Sequence, residues 1–182
     1  MPLPPLEPPR LVFRPADLAI HRAVLFDLNL EYISWISGEL RKAFGVSVDE
    51  VVGMSVPEYV ASVIEKVCGE PPPNGCFYLA EWDGQVAGMG GLRRIREDTA
   101  ELKRVYVRPA FRGNRIGEAV VHRVLGDAEF LGFHRVFLES GPFMHSAHRL
   151  YEAAGFVDRT PYLEAEVPVV LHDRWRFMER IR

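Results

Sequence analysis

Strand-like and helix-like periods alternate along this chain in an order that predicts one α/β domain, a mixed sheet covered by helices. Three observations carry the prediction. A meander of three strand patterns runs from residue 76 to residue 108, a strand–helix pattern follows with short turns, and two helical patterns precede the meander. With 182 residues, 48% of them apolar and 26% charged, the chain has the size and composition of one globular domain with a full core.

The leader MPLPPLEPPR, residues 1–10, holds five prolines and no apolar h-region. It reads as a flexible arm rather than a secretory signal, with the domain proper over 11–182. LVFR (11–14) is a short first strand ended by Pro15. Residues 16–44 carry Leu18, Leu25, Leu28, Tyr32, Trp35, Ile36 and Leu40 at helical spacing, with Asp17 placed to cap the start and Gly38 or Gly45 to break or end it. Pro57 suits the first turn of a second helix, which Gly69 closes, and PPPNG (71–75) is a connector.

CFYLAEW (76–82), Asp83-Gly84 and QVAGMGGLRRI (85–95) then read as a hairpin with a tight turn. Gly88, Gly90 and Gly91 mark a bulge or a close backbone approach in its second strand. AELKRVYVR (100–108) is the third strand of the meander, ended by Pro109. A helix over 114–131 shows Ile116, Ala119, Val120, Val124, Ala128 and Leu131 on one face. RVFLES (135–140) is a strand, 146–155 a short helix stopped by Gly155, FVDRTPY the start of another strand, and 171–182 a last one.

Charge excludes some functions. The net charge of −3 counts against a general nucleic-acid binder. Residues 93–115 nonetheless hold eight basic side chains (Arg93, Arg94, Arg96, Lys103, Arg104, Arg108, Arg112, Arg115) against three acidic ones, so +5, which leaves −8 elsewhere. Such a segment focuses an anionic ligand or simply forms a solvated basic face. No apolar run approaches the roughly 18 residues that a membrane span needs. Cys68 and Cys76 have neither the spacing of a metal or redox pair nor that of a disulfide framework, and they suit a reducing cytoplasm. His122, His145 and His148 lack companions at metal-ligand spacing, so no metal is expected.

The chemistry concentrates at ELKRVYVRPAFRGNRIG (101–117). A strand enters a turn, Arg112-Gly113-Asn114-Arg115-Ile116-Gly117, and a helix leaves it. Successive N–H groups at such a helix start bind phosphate, and arginines add charge-assisted bonds. A plain strand-to-helix connection explains the same residues about as well.

Companion motifs make the layout specific. Arg112-x-x-Arg115-x-Gly117, the VRPAFRG segment and LYEAAGF (150–156) at its separation resemble the GNAT superfamily, the acetyl-CoA-dependent N-acetyltransferases. That family's pattern is Arg/Gln-x-x-Gly-x-Gly/Ala after its fourth strand. The resemblance covers roughly residues 76–160 and fits the first third only through the number and order of helices.

It implies a mostly antiparallel sheet with helices on both faces and with strands four and five splayed apart. It implies acetyl-CoA as cosubstrate, its pyrophosphate on the N–H groups of Arg112, Gly113, Asn114, Arg115, Ile116 and Gly117. The pantetheine arm would lie along Val105, Tyr106 and Val107, bonding the backbone of Val105 and Val107, with the Val107 N–H as oxyanion donor. Tyr151 would give a proton to the departing thiolate, the alternative being a core tyrosine. Glu101, at the start of the fourth strand and on one face with Lys103 by strand alternation if no bulge intervenes, would take the proton of the amine; it is nearly as readily a solvated edge carboxylate or a partner of Lys103 or Arg104, and water can serve instead.

Two positions depart from the family pattern. Arg115 stands in a glycine's place, which leaves the backbone angle there in question. Met144 stands where an asparagine usually meets the pantetheine arm, so Ser140 or Ser146 would replace that contact. Glu139 beside the cleft suits a cationic substrate or the surface. Tyr32 and Trp35 on the first helix line an acceptor pocket or pack its core.

The expected function is acetyl transfer from acetyl-CoA to an amine of a small molecule or peptide by direct attack in a ternary complex. The alternative is a sensor module that binds acyl-CoA without catalysis. No nucleic-acid or membrane partner is expected, and a homodimer stays open.

Overall fold

The computed structural model describes residues 10–182. The proline-rich leader lies outside them except for Arg10, which pairs with Asp83 at 2.9 Å. Among the described residues seven strands form one sheet in the order β1-β2-β3-β4-β5-β7-β6. They are β1 (Leu11–Pro15), β2 (Gly75–Trp82), β3 (Gln85–Arg96), β4 (Thr99–Val107), β5 (Arg135–Ser140), β6 (Val157–Asp158) and β7 (Arg176–Ile181). All neighbours are antiparallel except β4 and β5.

Helices cover both faces, as the alternation of strand side chains requires. On one face α1 (Leu18–Phe44) and α3 (Val56–Cys68) bury Leu25, Leu28, Ile64 and Val67 against Phe77, Leu79 and Met89. On the other, α4 (Ile116–Phe130) and α5 (His145–Ala153) bury Ile116, Val120, Val124 and Tyr151 against Tyr78, Leu92, Leu102 and Leu138. Each aliphatic side chain so buried contributes about 1.5–3 kcal/mol relative to exposure.

Local signals set the boundaries. Asp17 caps α1 by accepting the Ala19 N–H at 2.8 Å, and Gly45 at φ +73° ends it. Asp83 and Gly84 both have positive φ, the tight hairpin turn that their identities announce. Gly90 is required by packing, because a Cβ there would stand 2.5 Å from Val120 Cγ1 of α4.

Three elements differ from the sequence reading. A one-turn helix α2 (Val48–Val52), with a capping box between Ser47 and Glu50, follows α1. The strand begun by FVDRTPY is only two residues long, Val157–Asp158, after which the Arg159 side chain lies over the Phe137 ring. The tail opens as a 3-10 segment over Val169–Arg174, and only Arg176–Ile181 is strand.

The feature that creates a site is the β4–β5 pair. These parallel strands bond only where Thr99, Ala100 and Glu101 face Arg135, Val136 and Phe137. Beyond them the strands separate, and β5 pairs with β7 along its whole length instead.

Candidate active site

A cavity of about 390 Å³ occupies the opening between β4 and the start of α5. Val105, Tyr106 and Val107 form one wall, and Phe143, Met144, Ser146, Ala147 and Tyr151 the other, with Arg112 and Gly117 also on its lining. Tyr32 and Trp35 of α1 close it, so both reach the cleft as well as packing their helix.

The turn at the mouth has an unusual backbone. Gly113 has φ +88° and Arg115 has φ +57°, so the arginine adopts the left-handed conformation that a glycine would take freely. That conformation costs about 1–2 kcal/mol for a residue with a side chain. The side chain turns outward, 81% exposed, to pair with Glu118 at 2.7 Å. Asn114 bonds the Phe111 carbonyl at 3.0 Å, and Ile116 is buried in the core, so these two offer their amides rather than their side chains. A Cβ on Gly117 would meet nothing closer than 3.8 Å, which leaves room beside it.

The basic segment is largely spent within the protein. Arg93 pairs with Glu101, Arg96 with Glu164, Arg108 with Glu31, Lys103 and Arg104 with Glu166, and Arg115 with Glu118. Arg94 bonds Asn74 and backbone carbonyls instead. Arg112 at the cleft touches no carboxylate among the described residues; its Nε donates to the Val107 carbonyl at 3.1 Å. The expected focusing field therefore reduces to Arg112 and the helix start.

Tyr151 lines the cleft and is 7% exposed. Burial, with a smaller contribution from Tyr32, pushes its phenol above the ordinary value, so it stays protonated. Ser146 lines the cleft beside Met144, whereas Ser140 is buried, bonds Met144 Sδ at 3.3 Å and lies 3.1 Å from His148 Nε2. Of the two serines named to replace the missing asparagine, only Ser146 is in position.

Glu101 is fully buried and lines none of the cavities around the site. Its oxygens take Arg93 Nε at 2.9 Å and the Tyr162 hydroxyl at 2.7 Å, with Lys103 Nζ 3.6 Å away. The alternation that sets it beside Lys103 holds, but it faces the protein interior and not an amine in the cleft. It is no solvated edge carboxylate, and of the two basic partners named from the sequence Lys103 stands 3.6 Å away while Arg104 pairs with Glu166 instead.

Beneath the cleft lies a charged cluster that the sequence did not announce. Arg104 has φ +56° and sits in a bulge, since β3 passes from Met89 opposite Tyr106 to Gly91 opposite Lys103. Lys103 Nζ lies 2.7 Å from Glu166 and 3.5 Å from Glu139, while Arg104 bonds Glu166 at 2.6 Å and the side-chain Oδ1 of Asn29 at 3.0 Å. The Tyr59 hydroxyl also donates to Glu166. Burial alone would lift the Glu166 carboxyl, but Arg104 and Lys103 hold it well below the ordinary range. Burial likewise opposes the Lys103 ammonium, and Glu101, Glu166 and Glu139 more than offset it.

Glu139 is the least committed of these carboxylates. One oxygen accepts the Val167 N–H at 3.1 Å, the other has only Lys103 at 3.5 Å, and burial raises its pKa. It lines two further cavities, of about 70 and 50 Å³. The one sequence signal for this cluster was Asn29, a polar residue on the apolar stripe of α1.

No metal-ligand cluster occurs among the described residues, and no described helix is long and apolar enough to cross a membrane.

Comparison with known proteins agrees with this architecture. Residues 41–156 match the model of the "Acetyltransferase (GNAT) family". The chain is 41% identical over 86 residues to N-acetylaspartate synthetase of Mus musculus, a match that takes in 47% of this chain and only 29% of the mouse protein. An acetyltransferase from Streptococcus agalactiae superposes with a TM-score of 0.68 at 22% identity, over 95% of this chain and 99% of that one. The PaiA N-acetyltransferase of Thermoplasma acidophilum, solved in complex with coenzyme A, gives a TM-score of 0.66 at 15% identity, over 94% of this chain and 99% of that one. With the sheet opened between β4 and β5 and the family model spanning turn, cleft and α5, this chain belongs to the acetyltransferase (GNAT) family.

Proposed function

We propose that the protein transfers an acetyl group from acetyl-CoA to a primary amine by direct attack within a ternary complex. The observation that carries this reading is the cleft itself, with free strand backbone on one wall, the helix start of α4 at its mouth and Tyr151 on the other wall. When bound, acetyl-CoA supplies an activated thioester. Amides of the 112–117 turn and the Arg112 guanidinium would hold its pyrophosphate, where the helix dipole favours negative charge. The Val105 and Val107 backbone would hold its extended arm as an added strand does, beside Met144 and Ser146.

The protein's own groups then have separate tasks. Tyr151, kept protonated by burial, gives its proton to the departing thiolate. Glu139 holds the incoming ammonium, and water removes its proton, since Glu101 is enclosed. Neither thiol offers an acyl-enzyme route: Cys68 and Cys76 are buried away from the cleft and pushed up to about 11 and about 12 by burial. Two free thiols also suit a reducing cytoplasm.

Calorimetry with acetyl-CoA, followed by thiol release across a panel of amines, tests the reading. Arg112→Glu, which removes about one charge-assisted bond, and Gly117→Glu, which sets a carboxylate beside the pyrophosphate, are each expected to weaken acetyl-CoA at least tenfold. Unchanged affinity in both removes the site assignment. Binding with no thiol release for any amine leaves an acyl-CoA-binding sensor instead.

A further inference from the structure

We infer that the acceptor is a primary amine with a short, uncharged apolar tail, the ammonium at Glu139 and the tail between α1, α2 and the 167–175 segment. The inference rests on the transferase reading above and names its substrate class. Two small cavities adjoin the cofactor cleft, each sharing lining residues with the next. The first, about 50 Å³, shares Tyr32 and Met144 with the cleft and has Lys103 and Glu139 on its walls. The second, about 70 Å³, shares Ile36, Arg104, Glu139 and Trp175 with the first. Glu139 thus stands between the acetyl side and the inner chamber.

The chamber is apolar, walled by Ile33, Leu40, Val51, Val52 and Leu171 in addition to Ile36 and Trp175. Its charged groups gather at one end, and most are occupied. Arg104 and the Tyr59 hydroxyl both bond Glu166, and Lys103 stands 2.7 Å from the same carboxylate. Glu139 keeps an oxygen with no partner nearer than 3.5 Å, whereas Glu166 Oε2, which accepts no hydrogen bond, is neutralised by Lys103 at 2.7 Å.

A cationic head therefore has one carboxylate to meet, and whatever extends beyond it meets hydrocarbon. A second ammonium in the tail would have to shed water there without a partner. A carboxylate-bearing acceptor would face Glu139 and Glu166, with the two cations already matched. Each methylene placed in the chamber is worth about 0.8 kcal/mol, or about fourfold in kcat/KM.

The experiment measures thiol release by the full chain with acetyl-CoA and ethylamine, propylamine, butylamine, spermidine or aspartate as acceptor. The expected result is a rise of about fourfold per methylene from ethylamine to butylamine, with butylamine at least tenfold above spermidine and aspartate. Val51→Trp, which fills the chamber from α2, should lower the butylamine-to-ethylamine ratio of kcat/KM at least tenfold. A flat alkyl series, or a preference for spermidine or aspartate, overturns the inference while leaving the transferase reading intact. Thiol release with none of the amines, despite acetyl-CoA binding, overturns both.

Discussion

Lys103 and Arg104 are consecutive residues whose side chains reach the same half-buried carboxylate, Glu166, at 2.7 and 2.6 Å. In a regular strand they would point to opposite faces. The bulge at Arg104, with φ +56°, turns both toward α1 and sets two cations beneath the acceptor side of the cleft. The remaining strand then resumes its alternation, with Val105 and Val107 on the α4 side and Tyr106 against α1, while all three line the cleft.

The Glu166 carboxylate should dominate the acid limb of stability. Its folded pKa is held below the ordinary value, so its contribution is present above about pH 4.3 and fades as pH falls through the lowered folded value. Glu166→Gln leaves two buried cations short of a partner and should cost about 3–5 kcal/mol at pH 7. Urea denaturation at pH 7, 4 and 3 should show the gap between wild type and variant narrowing with acid. A gap independent of pH would refute the assignment.

For Glu101 the expectation separates folding from chemistry. Glu101→Gln removes the partner of Arg93 and should lower stability by about 3–5 kcal/mol, while kcat of the folded enzyme stays within about threefold. A loss of the roughly 10²-fold or more that a base contributes, with the melting temperature unchanged, would restore Glu101 as the base.

Tyr151→Phe keeps the ring on the cleft wall and removes the hydroxyl that carries the proton. The turnover rate should fall by about 10²–10⁴-fold, with calorimetric affinity for acetyl-CoA little changed. An undiminished rate would assign Tyr151 to packing alone.

The left-handed backbone at residue 115 gives a stability prediction of its own. Arg115→Gly relieves about 1–2 kcal/mol of strain against about 0.4–1 kcal/mol of added chain entropy, so thermal denaturation should register little change or a slight gain. Arg115→Val, β-branched at positive φ, should destabilise clearly. Equal melting temperatures for the two variants would contradict the backbone account.

Much of the fold was legible because its signals are local. Asp17 and Gly45 bracket α1, Asp83-Gly84 fixes the hairpin, and RVFLES is strand over the same six residues that the sequence suggested. The turn and Tyr151 were legible through motifs that keep their spacing. The capping box of α2 was also present in the sequence, but a five-residue helix has too few turns to show a period. The charged cluster was not legible, because its parts are far apart: Arg104 meets Glu166 62 residues later and Asn29 75 residues earlier. Nor could residue type reveal the bulge, since neither Lys103 nor Arg104 favours positive φ.

The early parting of β4 and β5 gives the cluster a mechanical meaning. The sheet is in effect two plates, β1 to β4 and β5 to β6, hinged at the Thr99–Glu101 end. Farther along, where no backbone ladder ties the plates, Lys103 reaches across from β4 to Glu139 on β5, and both cations reach Glu166 on the loop before β7. Ionic struts thus replace backbone bonds across the gap, and the lengths of two side chains set how wide the cleft stands. Because those struts are buried, that width should be nearly indifferent to salt.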